Sequence, residues 1–210
     1  MCRLCLVAIL FGTIGATNCS ADLIFDNSVR QDFTSNRSAG SSPLAAITVV
    51  AATDINQIGA MVDLNSGGNM KFVIFDLNTS SLLFATASGA YSDDGLSFKL
   101  SPVFGPFTLN PGITYGIGAI ADVGGLWGTN NSSSGNPFTM NGVTASDDRN
   151  GNVTNFSSPA LSTDGGAMIT VQLYSPTAEV PEPASLALWS LMSVAGLAAW
   201  RRRKLANTVA

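Results

Sequence analysis

Histidine is absent from the 210 residues, and charged side chains make up only 11% of them. Without an imidazole the chain has no Ser-His-Asp or Cys-His catalytic group and no histidine-ligated zinc site. The formal net charge of −4 argues against nucleic acid as a partner, because binding to phosphates depends on clustered cations. The sequence also lacks a glycine-rich phosphate loop and has no CxxC pair downstream of residue 21, so we expect no cofactor.

The first 21 residues have the three parts of a secretory signal peptide. Arg3 supplies a positive charge, Leu4 to Ile14 form an apolar run, and small residues end at Ala21 before Asp22. We predict a signal peptide over residues 1–21, cleaved between Ala21 and Asp22. An uncleaved transmembrane anchor is the alternative, but about ten apolar residues are too few to span roughly 30 Å of hydrocarbon.

All of the cysteines, Cys2, Cys5 and Cys19, lie upstream of this cleavage site. The mature chain is therefore expected to carry no thiol and to depend on its core alone in an oxidising compartment. A lipoprotein anchored through Cys19 is disfavoured, because Asn18 is a poor residue before a lipidated cysteine.

The other end of the chain combines a proline motif, an apolar segment and a basic cluster. Val180-Pro181-Glu182-Pro183 precedes the uncharged residues Ala184 to Trp200, and Arg201-Arg202-Arg203-Lys204 follows. As a helix the apolar segment would be about 26 Å long, at the lower limit for crossing a bilayer. The cations behind it are typical of a stop-transfer signal. These features predict a linker over residues 178–183, a transmembrane helix over 184–200 and a basic cytoplasmic tail over 201–210.

Charge separates the two sides of the predicted span. Between Asp22 and Val180 there are 13 acidic and 5 basic residues, a net charge of −8, and the basic cluster carries +4. The acidic part is expected outside the cell membrane and the basic tail inside. A buried core helix over Ala184–Trp200 is the alternative, and it leaves the adjacent cations unexplained.

The prolines at 181 and 183 each fix φ at about −65° and favour an extended residue before them. The motif should therefore be non-helical, with peptide bonds accessible to a processing enzyme; a plain spacer is the alternative. Together, Pro-Glu-Pro, the apolar span and the arginine-rich terminus resemble the PEP-CTERM protein-sorting tail of Gram-negative bacteria. The resemblance implies recognition of Pro181, Glu182 and Pro183 by an exosortase, a membrane-embedded enzyme that cuts near the motif. The matching basic terminus is Arg201, Arg202 and Arg203.

Residues 22–177 show strand and turn patterns without a helical period. Leu96–Ser101 alternates perfectly between apolar and polar residues, as a strand with one buried face should. The other candidate strands are Ile58–Leu64, Met70–Phe75, Ile113–Ala121 and Met168–Tyr174. Because Gly, Asn and Pro turns separate these runs, we predict a mainly β ectodomain, an antiparallel sandwich or jelly roll.

The stretch Asn69–Ala121 resembles the β domains called choice-of-anchor domains, which occur on surface proteins with sorting tails. The shared pattern includes Phe107-x-Leu109-x-x-Gly112-x-x-Tyr115. We interpret this pattern as a strand, a tight turn and a second strand whose Tyr115 packs inward.

Gly124–Ser158 is rich in Gly, Asn and Ser and predicts a long surface loop. Trp127 is either an aromatic platform for an extracellular polysaccharide or a residue packed against the sandwich edge. Asp148, Asn150 and Asn152 alternate around a glycine as calcium ligands do, but such residues are common in turns and no distal acid completes an EF-hand.

No catalytic residue or metal ligand is predicted. Asp93-Asp94-Gly95 is interpreted as a loop, because a glycosidase needs two acids that flank one cleft. We therefore expect a non-enzymatic exported protein, anchored by one membrane span and then sorted to the cell surface or matrix. The alternative is a carbohydrate- or matrix-binding module, followed by a surface glycan hydrolase and an ice-binding protein. The last of these usually needs a Thr-x-Thr repeat, which the sequence lacks.

Overall fold

The computed structural model describes residues 21–130, 137–146, 151–162 and 168–177. The chain divides into two units, Met1–Thr177 and Ala178–Ala210, and the described residues all lie in the first. They form antiparallel β-sheets and one 3-10 helix, Ser28–Arg30, so the predicted mainly β fold is confirmed. The predicted transmembrane helix and residues 1–20 of the signal peptide lie outside the described residues. Within the described ranges, no helix has the length and apolar character needed to span a bilayer.

The strands are numbered in chain order. The first ten are β1 (Ala21–Asp26), β2 (Phe33–Arg37), β3 (Ser41–Pro43), β4 (Ala45–Val49), β5 (Thr53–Ile55), β6 (Gln57–Leu64), β7 (Gly68–Asp76), β8 (Ser81–Ala85), β9 (Gly89–Tyr91) and β10 (Ser97–Leu100). The others are β11 (Phe107–Leu109), β12 (Tyr115–Ala121), β13 (Gly125–Asn130), β14 (Phe138–Met140), β15 (Val143–Ser146), β16 (Asn152–Thr154), β17 (Ala160–Ser162), β18 (Met168–Ile169) and β19 (Val171–Pro176).

Two seven-stranded sheets enclose the main core. The front sheet has the order β1-β19-β6-β13-β18, with β10 paired to β6 and β2 paired to β13. The back sheet has the order β14-β15-β4-β12-β7-β8, with β9 paired to β7. Side chains from both sheets form one fully buried cluster, which includes Ile58, Val62, Leu173, Ile47, Phe72, Ile74 and Ile117.

A third layer covers the outer face of the back sheet. The cover sheet, with the order β17-β16-β3, supplies Val153 to a second buried cluster that also contains Leu44, Val73, Phe75 and Ile120. The hydroxyl of Ser42 in β3 donates to the carbonyl of Ala119 in β12, which fixes the cover sheet to the back sheet. This layer explains why β7 and β12 are buried on both faces.

Three of the predicted strands are confirmed with small differences. In β6 the alternating residues Ile58, Ala60, Val62 and Leu64 are fully buried, as expected. β7 contains the predicted Met70–Phe75 strand, and β12 begins at Tyr115 rather than at Ile113. The predicted Met168–Tyr174 strand is interrupted at Thr170, which separates β18 from β19.

Leu96–Ser101 contains the predicted strand, but the prediction that its apolar face is buried is wrong. Ser97 and Lys99 of β10 lie opposite Val62 and Ala60 of β6, so it is the polar side chains that face the core. Leu96 and Leu100 are 40% and 39% exposed, whereas Lys99 is 5% exposed. The physical reason is the bonding at the strand end: the Ser101 hydroxyl accepts from the Ile58 amide at 3.0 Å, and the Lys99 ammonium reaches Asp94.

The predicted loop over Gly124–Ser158 is also wrong, because this stretch contains β13 to β16. β13 pairs with three strands of the front sheet, and β15 pairs with β4 in the back sheet. Small residues gave a loop-like composition, but they are needed here for close packing: a Cβ at Gly125 would lie 2.5 Å from the Asp63 carbonyl oxygen.

The strand–turn–strand interpretation of the Phe107–Tyr115 pattern is confirmed. β11 pairs with β5, Gly112 has a φ of 84°, and β12 starts at Tyr115, which is 1% exposed. The Tyr115 hydroxyl accepts from the Asn110 amide at 2.8 Å, and its ring makes an edge contact with Phe107. The spacing thus places the tyrosine where it closes its own turn.

Candidate functional site

The first and last described strands lie side by side in the front sheet. β1 pairs with β19 so that Ala21 is opposite Pro176 and Asp22 is opposite Ser175. The predicted signal-cleavage pair, Ala21 and Asp22, therefore stands beside the point at which the chain leaves β19. Sequence reasoning missed this pairing because it predicted no strand at residues 21–26, although Ala21–Asp26 contains an apolar Leu-Ile-Phe run.

Asn27 holds this pair of strands together at the point where the ladder is interrupted. Its side-chain amide donates to the Ile169 carbonyl at 3.2 Å and accepts from the Val171 amide at 2.7 Å. These are the bonds that another strand would make, and they bridge the break at Thr170. Because Asn27 is fully buried, loss of its side chain would leave backbone groups unpaired.

A chain of polar side chains connects β1 with β19 on the outer face of the front sheet. The Tyr174 hydroxyl donates to Gln172 Oε1 at 2.7 Å, and Gln172 Nε2 donates to the Asp26 carboxylate at 2.8 Å. Burial raises the pKa of Tyr174, and the negative charge of Asp26 raises it further. The tyrosine is therefore held in its neutral, hydrogen-bonding form.

The two other groups of predicted site residues lie outside the described residues. These are the sorting motif, Val180 to Pro183, and the basic cluster, Arg201 to Lys204. Val180 follows Thr177, the last described residue, by three positions in the sequence. A motif that an enzyme must reach is thus separated from β19 by a short piece of chain.

Trp127 is not an exposed aromatic platform. It lies in β13 opposite Val62 and Ser35, is 1% exposed and belongs to the main core. The polysaccharide interpretation of this residue is therefore wrong, and the alternative of a packed tryptophan is closer to the structure. The ring fills the space between the sheets instead of lying at their edge.

The described residues among the candidate hydrolase and calcium-binding groups lie in a loop and a strand and do not form a cluster. Asp93 and Asp94 lie in the loop between β9 and β10, as predicted, and Asp94 pairs with Lys99. Asn152 lies in β16, opposite Ser162 and Pro43, and Asp148 and Asn150 fall outside the described residues. Within residues 21–130, 137–146, 151–162 and 168–177, no group of three or more His, Cys, Asp or Glu side chains could hold a metal.

A row of threonines crosses the outer face of the back sheet. Thr139 of β14 lies opposite Thr144 of β15, and Thr144 lies opposite Thr48 of β4. The hydroxyl oxygens of Thr139 and Thr144 are 2.9 Å apart. The sequence has no Thr-x-Thr repeat along one strand, but the register aligns threonines across three strands.

Comparison with known proteins identifies the tail. The family model described as the PEP-CTERM protein-sorting motif matches residues 179–204. The match confirms the predicted resemblance to a PEP-CTERM sorting tail, and it implies export, cell-surface sorting and an exosortase as partner. No curated protein matches the chain.

Proposed function

We propose that this chain is a non-enzymatic surface or extracellular-matrix protein whose C-terminal tail is cut by an exosortase-like enzyme. The observation that carries the proposal is the sorting motif at residues 179–204, which begins two residues after Thr177. The signal peptide over residues 1–21 directs export. The span over 184–200 anchors the precursor until the tail is processed.

The pairing of β1 with β19 supports a precursor that is anchored in the membrane before its tail is cut. Ala21 and Pro176 are opposite each other, so the chain enters and leaves the ectodomain from neighbouring strand ends. A precursor with a membrane segment before β1 and another after β19 can keep both in one bilayer without opening the front sheet. Signal cleavage after Ala21 leaves the remaining residues of β1 in their ladder.

The test is mass spectrometry of the protein recovered from the surface of an exosortase-containing cell. We expect a mature chain that begins at Asp22 and ends near Pro183. Glu182→Ala should leave the C-terminus uncut, whereas Glu179→Ala, which removes the same charge outside Pro-Glu-Pro, should be processed normally. An intact terminus at Ala210 in the unaltered chain would defeat the proposal.

Extracellular polysaccharide is a second candidate partner, favoured by the hydroxyl row of Thr139, Thr144 and Thr48. Aligned hydroxyls on a sheet face can exchange hydrogen bonds with sugar hydroxyls. Glycan-array binding should be lost in Thr144→Val and kept in Thr108→Val, whose threonine lies away from the row and bonds Asp54. Equal binding by both variants would remove this candidate.

A further inference from the structure

The outer face of the front sheet carries an apolar patch. The front patch consists of Met61 in β6, Phe98 and Leu100 in β10, and Leu126 in β13. Phe98 lies opposite Met61, and Leu100 and Leu126 are 39% and 36% exposed. Met61 and Phe98 are half-buried and pack against neither buried cluster.

The front patch is flat because two of its side chains lie over glycines of the neighbouring strands. A Cβ at Gly59 would be 3.0 Å from Leu100 Cδ2, and a Cβ at Gly128 would be 2.8 Å from Met61 Cγ. Leu100 and Met61 therefore lie across the neighbouring strands instead of standing away from the sheet. A flat apolar surface of this kind fits another flat surface better than it fits a protruding side chain.

The front patch is poor in charge, although the ectodomain is acidic. β13 has no charged residue, Lys99 of β10 points to the opposite face, and Asp63 lies at the margin beside Leu126. Residues 22–180 carry a net charge of −8, so two copies repel each other over most of their surface. The front patch is where two identical copies can meet with little like-charge contact.

We propose that the front patch binds the front patch of a second copy of this chain. Two such faces related by a two-fold axis present the same apolar residues to each other. The three strands of the patch and the eight residues of β6 give a contact of about 400 Å² per copy, or about 800 Å² in total. That area is below the range of stable specific interfaces, so the dimer is weak in solution and forms when copies are concentrated on a surface.

Single-cysteine crosslinking of the full-length chain in exporting cells tests this proposal. The parent chain carries Cys2→Ser, Cys5→Ser and Cys19→Ser, so that each introduced thiol is alone. Leu126→Cys or Leu100→Cys should give at least about tenfold more disulfide-linked dimer than Val50→Cys, because contact raises the effective concentration of the thiols. Val50 is a stringent control, since it is 77% exposed and follows β4 in the back sheet.

A second substitution separates specific contact from random collision. Leu100→Lys in the Leu126→Cys chain should remove the dimer while exported amounts and far-ultraviolet circular dichroism stay unchanged. Equal crosslinking at Val50 and in the front patch, crosslinking that survives Leu100→Lys, or no crosslinking at either patch position would overturn the proposal. Tail cleavage, read by mass spectrometry on the same samples, reports separately on the sorting proposal.

Discussion

The two large sheets both carry apolar residues on their outer faces, but the described residues cover only the outer face of the back sheet. On the back sheet, Val73, Phe75 and Ile120 are buried under the cover sheet. On the front sheet, Leu100 and Leu126 remain more than a third exposed. Apolar residues on the outer face of the back sheet thus pack against another layer of the protein. Within the described residues, those on the outer face of the front sheet do not.

The difference shows that an amphipathic strand does not by itself fix which face is buried. In β10 the apolar side is outside, and a lysine whose stem is buried reaches an exposed carboxylate from the inner side. Exposed apolar groups cost little when they lie flat on a sheet, but they favour association with another surface. The comparison therefore predicts large stability effects behind the cover sheet and association effects, with small stability effects, on the front patch.

The largest effect is expected from Phe75→Ala, compared with Leu100→Ala. Phe75 is 1% exposed and sits in the second buried cluster, so its loss should lower the free energy of unfolding by ~3–5 kcal/mol. Leu100→Ala should change the free energy by about 0.5 kcal/mol or less, as is usual at exposed positions. Urea unfolding of the two exported variants measures the difference. Equal destabilisation by the two substitutions would mean that the outer face of the front sheet is as well packed as that of the back sheet, which would contradict this comparison.

Glycine substitutions on the two sheets sharpen the same comparison. A Cβ at Gly116 in β12 would lie 2.7 Å from Leu77 Cδ2 and 3.1 Å from Leu44 Cδ1, both held beneath the cover sheet. Gly116→Ala should therefore cost ~1–3 kcal/mol of overpacking.

Gly59→Ala in β6 is the matched control on the front sheet. Its new methyl group would lie 3.0 Å from Cδ2 of the exposed Leu100, which can turn outward, and 3.1 Å from Gln172 Cβ, so a small shift of β19 is needed. Alanine also restricts the unfolded chain more than glycine does, which offsets this cost. We expect a change within about 0.5 kcal/mol of zero by thermal unfolding. A loss at Gly59 as large as that at Gly116 would show that Leu100 and Gln172 cannot give way.

The inward face of β10 gives a smaller effect. Asp94→Asn removes the carboxylate that pairs with the nearly buried Lys99, leaving its ammonium with the Ser97 hydroxyl at 3.1 Å. Because Asp94 is itself 55% exposed, the expected cost is only ~1 kcal/mol. Lys99→Met keeps the buried stem and discards the charge, so it should be nearly neutral. A larger loss in Lys99→Met than in Asp94→Asn would contradict this account.

Features that depend on neighbouring residues could be predicted from the sequence. Features that depend on pairing between strands far apart in the chain could not. The alternation of Ile58 to Leu64 and the turn before Tyr115 follow from neighbouring residues, and both are confirmed. The burial of Trp127 depends on β2 and β6, which lie far from it in the sequence. Likewise, the β1–β19 pair joins positions 155 residues apart at Ala21 and Pro176, and no local signal in either segment reveals the other. The sorting motif was predictable because it is a contiguous signal.

The smallest effect on stability is expected at Tyr174, a polar residue on the outer face of the front sheet. The pKa of this phenol is raised by burial and by Asp26, so the folded state binds its proton more tightly than the unfolded state does. Its contribution is present in full below the ordinary phenol pKa of about 10 and is lost as the pH rises through the raised value. Stability should therefore fall above that pH, and Tyr174→Phe should reduce the fall. Thermal unfolding across the alkaline range, with tyrosinate absorbance as a second readout, tests this. Because Tyr91 also has a pKa raised by burial, Tyr91→Phe must be measured beside it. If only the Tyr91 variant reduces the fall, the hydrogen-bonded chain from Tyr174 to Asp26 does not link β19 to β1 in solution.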